Sequence, residues 1–264
     1  AEAMKYTAKI GEELGNVFIV MAKDFKEASG EVMFFSKGLG MSNEALEDIA
    51  HRSRMSGKTV KKGLGEMAKS VLALKKKFGV NAKDIMKNFN GLSKNSKTFG
   101  HLTKEELLGI ATYAAKTGQS IESLNKVMEQ SATWEGAAEQ AGNLAAQWGA
   151  VVDQNALFME GDPVKKQQMI VEALRKGGMT TEKMMAMNHH ERALLARDAG
   201  HEFKDLEKAM KASETGQIDY EDVKKTAAEA ALDTAKATKS AIKELSKEIA
   251  KLNKKGGGGG GPQF

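Results

Sequence analysis

A recurring unit in this sequence places one glycine between two stretches of helical periodicity. Residues 42–70 align with residues 103–131 at a constant offset, and a weaker third copy aligns around Gly200. A Ser or Thr that can cap a helix comes first, followed by a face of Leu, Ile and Ala. The glycine then suits the left-handed position that ends a helix, and a second helix begins within a few residues. The unit predicts helix–turn–helix hairpins that bury their apolar edges against neighbours. Matched positions include Ser42 and Thr103, Leu46 and Leu107, Ile49 and Ile110, Gly57 and Gly118, and Met67 and Met128.

Composition supports a helical chain and excludes several kinds of site. The 264 residues include two prolines and many Ala, Lys, Glu and Met, and long alternations of β-branched residues are missing. There is no cysteine, which excludes disulfides, thiolate zinc sites and Cys nucleophiles and fits a protein assembled inside a cell. The net charge is +5, with acids and bases interspersed along most of the chain, so charge alone does not predict nucleic-acid binding. The longest apolar run, residues 17–22, is far shorter than the roughly 20 residues that span a bilayer.

These patterns predict an all-α fold, an irregular bundle of helix–glycine-turn–helix units followed by a long exposed C-terminal helix. Residues 1–29 are predicted to form an N-terminal amphipathic helix that Gly30 ends, and residues 30–215 a helical domain with repeated units. Residues 216–255 are predicted to form a long amphipathic or coiled-coil helix, and residues 256–264 a flexible Gly-rich tail.

Residues 134–159 are predicted to contain the central helix of this domain. Apolar residues spaced by three and four put both tryptophans of the chain at opposite ends of one face, with alanines between them. Small residues in the middle let a neighbouring helix come close. Gln140 lies with Glu135 and Glu139 on the predicted wetter flank, and Asp162 and Pro163 begin the next helix. The predicted partner-packing face consists of Trp134, Ala138, Ala141, Ala145 and Trp148, continued by Val152.

A second predicted packing face lies near the C-terminus. Residues 222–254 lack glycine and aromatic residues, and their apolar positions alternate by three and four like a short heptad seam. We expect this seam to pack on neighbouring copies or on other proteins. Its principal residues are Ile242, Leu245, Ile249 and Leu252.

Three short motifs suggest ligand sites, but none keeps the pattern its chemistry requires. The segment around Gly57 resembles the end of a phosphate-binding loop, yet Arg52 stands where the loop's first glycine belongs and no strand precedes it. An EF-hand-like segment around Gly216 has Lys211 at the first ligand position, and lysine cannot bind calcium. The histidines near His189 lack metal-ligand spacing. We therefore predict helix-ending glycines, no cofactor, no metal and no catalytic residue.

The order of phrases in residues 38–213 resembles the tail tape measure proteins of tailed bacteriophages and related virion structural proteins. The first phrase is LGMSNEALEDIAHRSRMSGKTV, followed by KTGQSIESLNKVMEQSATWEGAAEQAGNLAAQWG. The last is GDPVKKQQMIVEALRKGGMTTEKMMAMNHHERALLARDAG. The resemblance covers about two-thirds of the chain and includes no catalytic signature.

The resemblance implies a structural role and not an enzyme. Tape measure proteins are long helical chains that fill the tail tube, set its length and leave ahead of the DNA on infection. The implied partners are other copies of the chain, tail tube and tail tip proteins and a tail assembly chaperone, with DNA nearby and no membrane span. The implied location is the virion tail, assembled in the host cytoplasm. As one helix, 264 residues would reach only about 400 Å, so we expect one domain of a longer protein.

Two other classes remain open at this point. A helical coiled-coil adaptor or binding module would show long periodicity without glycine turns, and the glycine-punctuated units argue against it. A helical nucleic-acid-binding protein would gather basic residues on one face and lose affinity steeply with salt. The candidate basic clusters are residues 61–62, 75–77 and 254–255, and solvated helix faces explain them more simply.

Overall fold

The computed structural model describes residues 26–231 and 242–247, and within these ranges every regular element is a helix. The predicted all-α class is confirmed for this part of the chain. The first seven helices are α1 (Ser29–Met33, continued by a π-helical turn at Phe34–Gly38), α2 (Asn43–Met55), α3 (Val60–Phe78), α4 (Ala82–Lys94), α5 (Ser96–Phe99), α6 (Lys104–Thr117) and α7 (Ile121–Gln130).

Seven further helices follow, and a helical segment occupies residues 242–247. The helices are α8 (Trp134–Trp148), α9 (Gln154–Met159), α10 (Pro163–Lys176), α11 (Thr181–Ala186), α12 (His189–Ala199), α13 (Phe203–Thr215) and α14 (Tyr220–Ala231).

The repeated unit has the local structure that its sequence predicts. The side chains of Ser42 and Thr103 accept backbone hydrogen bonds at the starts of α2 and α6. Gly57, Gly118 and Gly200 have φ angles of +66°, +73° and +70°, the left-handed region in which glycine carries no Cβ penalty. The units α2–α3, α6–α7 and α12–α13 therefore each join two helices through one glycine turn.

The first hydrophobic core is built mainly from α1 to α6 and α14, and it includes Ile121 and Leu124 of α7 and Val164 of α10. Its largest fully buried side chains include Phe35, Leu46, Leu64, Leu74 and Phe89. The 19-residue helix α3 lies in the middle, where it packs against α2, α6 and α14. The burial of one such side chain stabilises the fold by roughly 1.5–3 kcal/mol. Because α3 contributes many buried residues, it adds strongly to the hydrophobic stabilisation of the first core.

Helices α2 and α3 approach so closely that Gly63 has no room for a side chain. A Cβ atom built on Gly63 would lie 1.9 Å from the Ser53 Oγ atom, which itself donates a hydrogen bond to the Ile49 carbonyl at 2.6 Å. A glycine inside a helix ordinarily costs about 1 kcal/mol relative to alanine. At Gly63, the stabilisation gained from close packing of α2 on α3 outweighs that cost.

The second core is built from α7 to α13. Helix α10 packs against α7 and α13. The buried residues of this core come mainly from these three helices and from α8 and α12. Asp162 caps α10 and Pro163 occupies its first turn, as predicted. The core is lined by Val127, Leu144, Leu157, Ile170, Leu174, Met184, Leu195, Leu206 and Met210.

The prediction of one long exposed C-terminal helix is wrong for its first part. Helix α14 packs in a groove between α3 and α6, and Tyr220, Val223 and Ala227 are buried in the first core. The Ser70 hydroxyl donates to the Ala227 carbonyl at 2.8 Å. The apolar residues of α14 therefore pack within the chain. Gly216, with φ of +58°, allows the turn that brings α14 back onto the domain.

The Asp162 carboxylate connects the two cores. It caps α10 by accepting from the Val164 N–H at 3.0 Å, and it also accepts from the Tyr220 hydroxyl at 2.8 Å and from the Lys224 ammonium at 3.2 Å. Burial and the neighbouring Asp162 charge raise the pKa of the Tyr220 hydroxyl above its ordinary value, so it stays protonated and can donate. Helix α14 is thereby tied to the start of α10.

One predicted boundary differs from the structure, since Gly30 does not end a helix and lies inside α1. Residues 90–100 are rich in Gly, Ser and Asn, which is typical of a loop, yet they are mainly helical because α4 continues to Lys94 and α5 begins at Ser96. Residues 181–200 form two helices, because Met187 leaves the helical conformation and Asn188 caps α12 with its side chain.

The remaining domain predictions lie outside the described residues. This applies to residues 1–25 of the N-terminal helix, to residues 232–241 and 248–255 of the C-terminal helix, and to the tail at 256–264. Among the described helices, none combines the length and the apolar character needed to cross a membrane.

The contact at Gly63 makes a testable prediction about stability. Gly63→Ala should lower the free energy of unfolding by about 2 kcal/mol or more, because the new methyl overlaps Ser53 and the helices must separate. Gly142→Ala is the matched control, since a Cβ built at Gly142 in the middle of α8 meets no atom within 4 Å. This control should raise the free energy of unfolding by about 0.5–1 kcal/mol.

Urea denaturation followed by circular dichroism measures both changes. Equal effects of the two alanines would contradict the close packing of α2 on α3. Partial rescue of Gly63→Ala by Ser53→Gly would support it.

Candidate partner-docking surface

Helix α8, which carries most of the predicted partner-packing residues, is ordered by its own end signals. The Thr133 side chain accepts from the Gly136 N–H at 3.0 Å at the start, and Gly149 ends the helix with φ of +63°. Its buried residues are Ala137, Gln140, Ala141 and Leu144, and Leu144 belongs to the second core. The fixed ends determine which side chains of α8 face outward.

The predicted face of α8 is divided between the interior and the surface. Ala141 is buried and Trp148 is half-buried, whereas Trp134 is 48% exposed and Ala145 is exposed. Ala138 lies at the boundary, with intermediate exposure. Since the buried residues of α8 include only Ala141 of the predicted stripe, the stripe runs along the edge of the buried face and not along its centre.

Trp148 has a polar partner that the sequence pattern did not predict. Its indole N–H donates to an oxygen of the buried Asp198 carboxylate at 3.0 Å, and Arg197 pairs with the other oxygen at 2.8 Å. Trp148 therefore joins α8 to α12 inside the molecule, and Trp134 is the tryptophan available to a partner.

The predicted seam at the C-terminus faces the first core in the part that is described. Leu245 is 1% exposed and Ile242 is partly buried against the same core, while Glu244 pairs with Lys76 of α3 at 2.9 Å. These two residues therefore contribute to the first core of the same chain. Ile249 and Leu252 lie outside the described residues.

An apolar surface remains exposed where α8 meets α9. The rings of Trp134 and Phe158 pack edge to face with their centroids 5.9 Å apart. Next to them Met159, the last residue of α9, is 77% exposed. Because large apolar side chains on two neighbouring helices are left in water together, this surface has the character of a docking site. We call Trp134, Phe158 and Met159 the apolar edge.

The apolar edge lies in an acidic part of a basic protein. Residues 127–164 contain six carboxylates and no lysine or arginine. Of these carboxylates, Glu135, Glu139 and Asp153 are exposed on or beside α8 and α9. This segment is an exception to the interspersed charges of most of the chain, because its own side chains carry only negative charge.

A group of fully buried polar side chains lies inside the second core, behind α8. The Gln167 amide donates to the Gln119 carbonyl oxygen at 2.6 Å and lies 3.4 Å from His201 Nε2. Ser123 accepts from a backbone N–H and is 3.0 Å from His201 Nδ1, so its own proton can be donated to the imidazole. Gln140, predicted to be on the wet flank of α8, is instead completely buried near this group.

The sequence motifs that suggest ligand sites act as helix ends in the structure. Gly57 turns the chain between α2 and α3, and Lys58 pairs with the buried Glu66 at 2.9 Å. Gly216 precedes Asp219, whose side chain accepts from the first N–H groups of α14. Within residues 26–231 and 242–247, no group of three His, Asp or Glu side chains could hold a metal ion.

Glu66 is the most enclosed charged group near the α2–α3 turn. Burial by itself would raise its pKa, but hydrogen bonds and charge from Lys58 and Lys104 outweigh burial and lower the pKa. Lys104 lies 3.1 Å from the same carboxylate. These lysines are therefore committed to a structural ion pair, which leaves little positive charge for a ligand in the cleft of about 340 Å³ beside them.

A larger cleft of about 440 Å³ opens between α10, α13 and α14. Its walls mix apolar residues such as Val171 and Ala209 with the polar ends of Gln167 and Arg175. Arg175 donates to the Ser213 hydroxyl at 2.9 Å, so its guanidinium is engaged at the rim. The titratable side chains of its lining also include Glu172, Asp219 and Tyr220.

Comparisons with known proteins identify no relative. No protein-family model, no curated protein and no solved structure matches this chain. The resemblance to tape measure proteins therefore stays a prediction.

The buried imidazole predicts how stability depends on pH. Burial lowers the pKa of His201 from 6.5 to about 3, with the charge of Asp205 opposing the shift. Below pH 6.5 the unfolded chain binds a proton that the folded chain does not, so folding stability is full above that pH and declines toward pH 3. Between these two pH values, His201 alone should change the free energy of unfolding by up to about 1.4 kcal/mol per pH unit.

Denaturation midpoints measured between pH 4 and pH 7 test this expectation. His201→Gln should flatten the pH dependence, whereas His190→Gln, at an exposed position of α12, should leave it unchanged. An unchanged slope in His201→Gln would mean that the imidazole is not held neutral by burial.

Proposed function

We propose that this chain is a non-enzymatic structural protein that acts by docking on other proteins, as one domain of a phage tail tape measure protein or of a related tail component. In this role it sits in the tail of the virion, contributes to a protein that sets tail length, and is released from the tube on infection. Assembly takes place in the host cytoplasm. The proposal needs no cofactor.

The apolar edge is the observation that carries this proposal. Trp134 and Met159 are held on a rigid scaffold, because Thr133, Gly149 and the second core fix the orientation of α8. Large apolar side chains displayed on capped helices lose little conformational freedom when a partner covers them. A Trp at the centre of such a surface is typical of residues that dominate protein–protein binding.

The proposed partners are tail tube and tail tip subunits, a tail assembly chaperone and further copies of the chain. The acidic surroundings of the apolar edge favour partners with a basic surface. Nearby DNA is compatible with the net charge of +5, but two lysines of the basic cluster at 75–77 are engaged inside the chain. Lys76 pairs with Glu244 and Lys77 with Asp222.

Cross-linking inside tails tests the proposal directly. DNA-free tails purified from the source of this chain should contain its peptides within a protein of larger mass. A zero-length reagent that joins carboxylates to amines should link Glu135 or Glu139 to lysines of tube or tip subunits. Glu207 of α13, away from the apolar edge, provides the control carboxylate and should give no such links.

Absence of the chain from tails, together with its presence in the cell extract, would contradict the tail role. That result would favour a helical binding module of the cytoplasm, which would use the same apolar edge.

A further inference from the structure

The charge of this chain is segregated between two surfaces on different cores. Residues 127–164, which form the apolar edge, carry only acidic charges. Residues 51–104 carry fourteen lysines and arginines against two carboxylates, Glu66 and Asp84. Some of these cations are engaged within the chain, because Lys58 and Lys104 pair with the buried Glu66 and Arg52 pairs with Asp48, and the segment still has a large positive excess. One molecule therefore presents a negative surface and a positive surface.

The positive surface also has an apolar centre. At the turn between α2 and α3, Met55 is 77% exposed, and Arg54, Lys61 and Lys62 are exposed on the helix ends that flank the turn. The half-buried Glu105 of α6 lines the same cleft as Met55. Gly57 holds this turn in the left-handed conformation, and Thr59 caps α3 by accepting from the Lys62 N–H at 3.2 Å. We call Arg54, Met55, Lys61 and Lys62 the basic corner.

The two surfaces are complementary in composition. The apolar edge offers Trp134 and Met159, bordered by Glu135 and Glu139, and the basic corner offers an exposed Met55 with cations on the flanking helix ends. Methionine adapts its shape and makes favourable contacts with aromatic rings, so Met55 suits a surface that contains Trp134. Opposite charges at the rim steer the approach and fix the register.

We propose that the apolar edge of one copy docks on the basic corner of a second copy. The inference deepens the proposed structural role and rests on it only in treating the edge as a docking surface. A contact between two different surfaces of one chain either closes into a ring or pair, or continues from copy to copy. Self-docking would therefore give the chain a way to assemble with its own kind.

Protein is favoured over nucleic acid as the occupant of the basic corner. A nucleic acid would use the cations but would leave Met55 exposed, whereas the apolar edge covers both. The acidic surface of the same chain would also repel a polyanion. The corner and the edge occur in equal numbers, so every copy supplies one site of each kind.

Sedimentation of the purified chain tests self-docking. At low salt, the average mass should rise with protein concentration, and 1 M NaCl should weaken the association because exposed charges are screened. An edge variant, Glu139→Lys with Met159→Lys, should weaken the association by about tenfold or more. A corner variant, Lys61→Glu with Lys62→Glu, should do the same. The matched control, Lys204→Glu with Lys211→Glu at exposed positions of α13, should associate like the unaltered chain.

A mixture of the edge and corner variants gives the decisive result. Copies of one variant repel each other, because the altered surface and its docking partner then carry charge of the same sign. In the mixture, the unaltered corner of the edge variant can dock on the unaltered edge of the corner variant. The two altered surfaces also carry opposite charges. Mixing should restore association. Circular dichroism confirms that each variant is folded before the comparison, and the substituted positions are exposed.

Cross-linking identifies the contact between copies. When isotopically heavy and light chains are mixed and treated with the zero-length reagent, Glu135 or Glu139 of one mass should be joined to Lys61 or Lys62 of the other. A chain that stays monomeric at low salt, variants that associate like the control, or a mixture that stays monomeric would each overturn the proposal. These outcomes leave the tail role intact, because that role is judged by cross-links to tube and tip subunits.

Discussion

The buried carboxylate of Asp162 joins helices of the two hydrophobic cores, alongside the apolar residues that α7 and α10 contribute to both. It accepts hydrogen bonds from the start of α10, from the Tyr220 hydroxyl and from Lys224. The Asp162 side chain is only 6% exposed, and burying a carboxylate is costly unless its oxygens accept hydrogen bonds. The three contacts together offset this cost. They fix α14, which belongs to the first core, against α10, which contributes mainly to the second.

This connection bears on function, because the two charged surfaces lie on different cores. The apolar edge is displayed by α8 and α9 of the second core, and the basic corner by α2 and α3 of the first. Their relative position in one copy sets the geometry in which copies can meet. A structural protein that docks at both surfaces needs this position to be constant, and the Asp162 contacts hold it.

Local signals made much of the fold predictable, whereas long-range contacts did not. Caps and left-handed glycines, such as Ser42 and Gly57, act within one turn of helix, and the structure confirms them. The burial of α14 depends on a groove formed by α3 and α6, far away in the sequence, so its periodicity looked like that of an exposed coiled coil. For the candidate surface, Trp134 was predicted, but the charge segregation around it was overlooked even though it is visible in the sequence. Gln140 was misplaced because a polar residue type predicts exposure, whereas its position on α8 faces the interior.

Unfolding followed by two probes tests the connection between the cores most directly. Both tryptophans of the chain lie in α8, so their fluorescence reports on the second core, whereas far-ultraviolet circular dichroism reports on all helices. In the unaltered chain the two urea transitions should coincide, because one cooperative unit unfolds. In Asp162→Ala they should separate, since α14 and α10 lose their common contact. Coinciding transitions in Asp162→Ala would contradict the account, as would separate transitions in the unaltered chain.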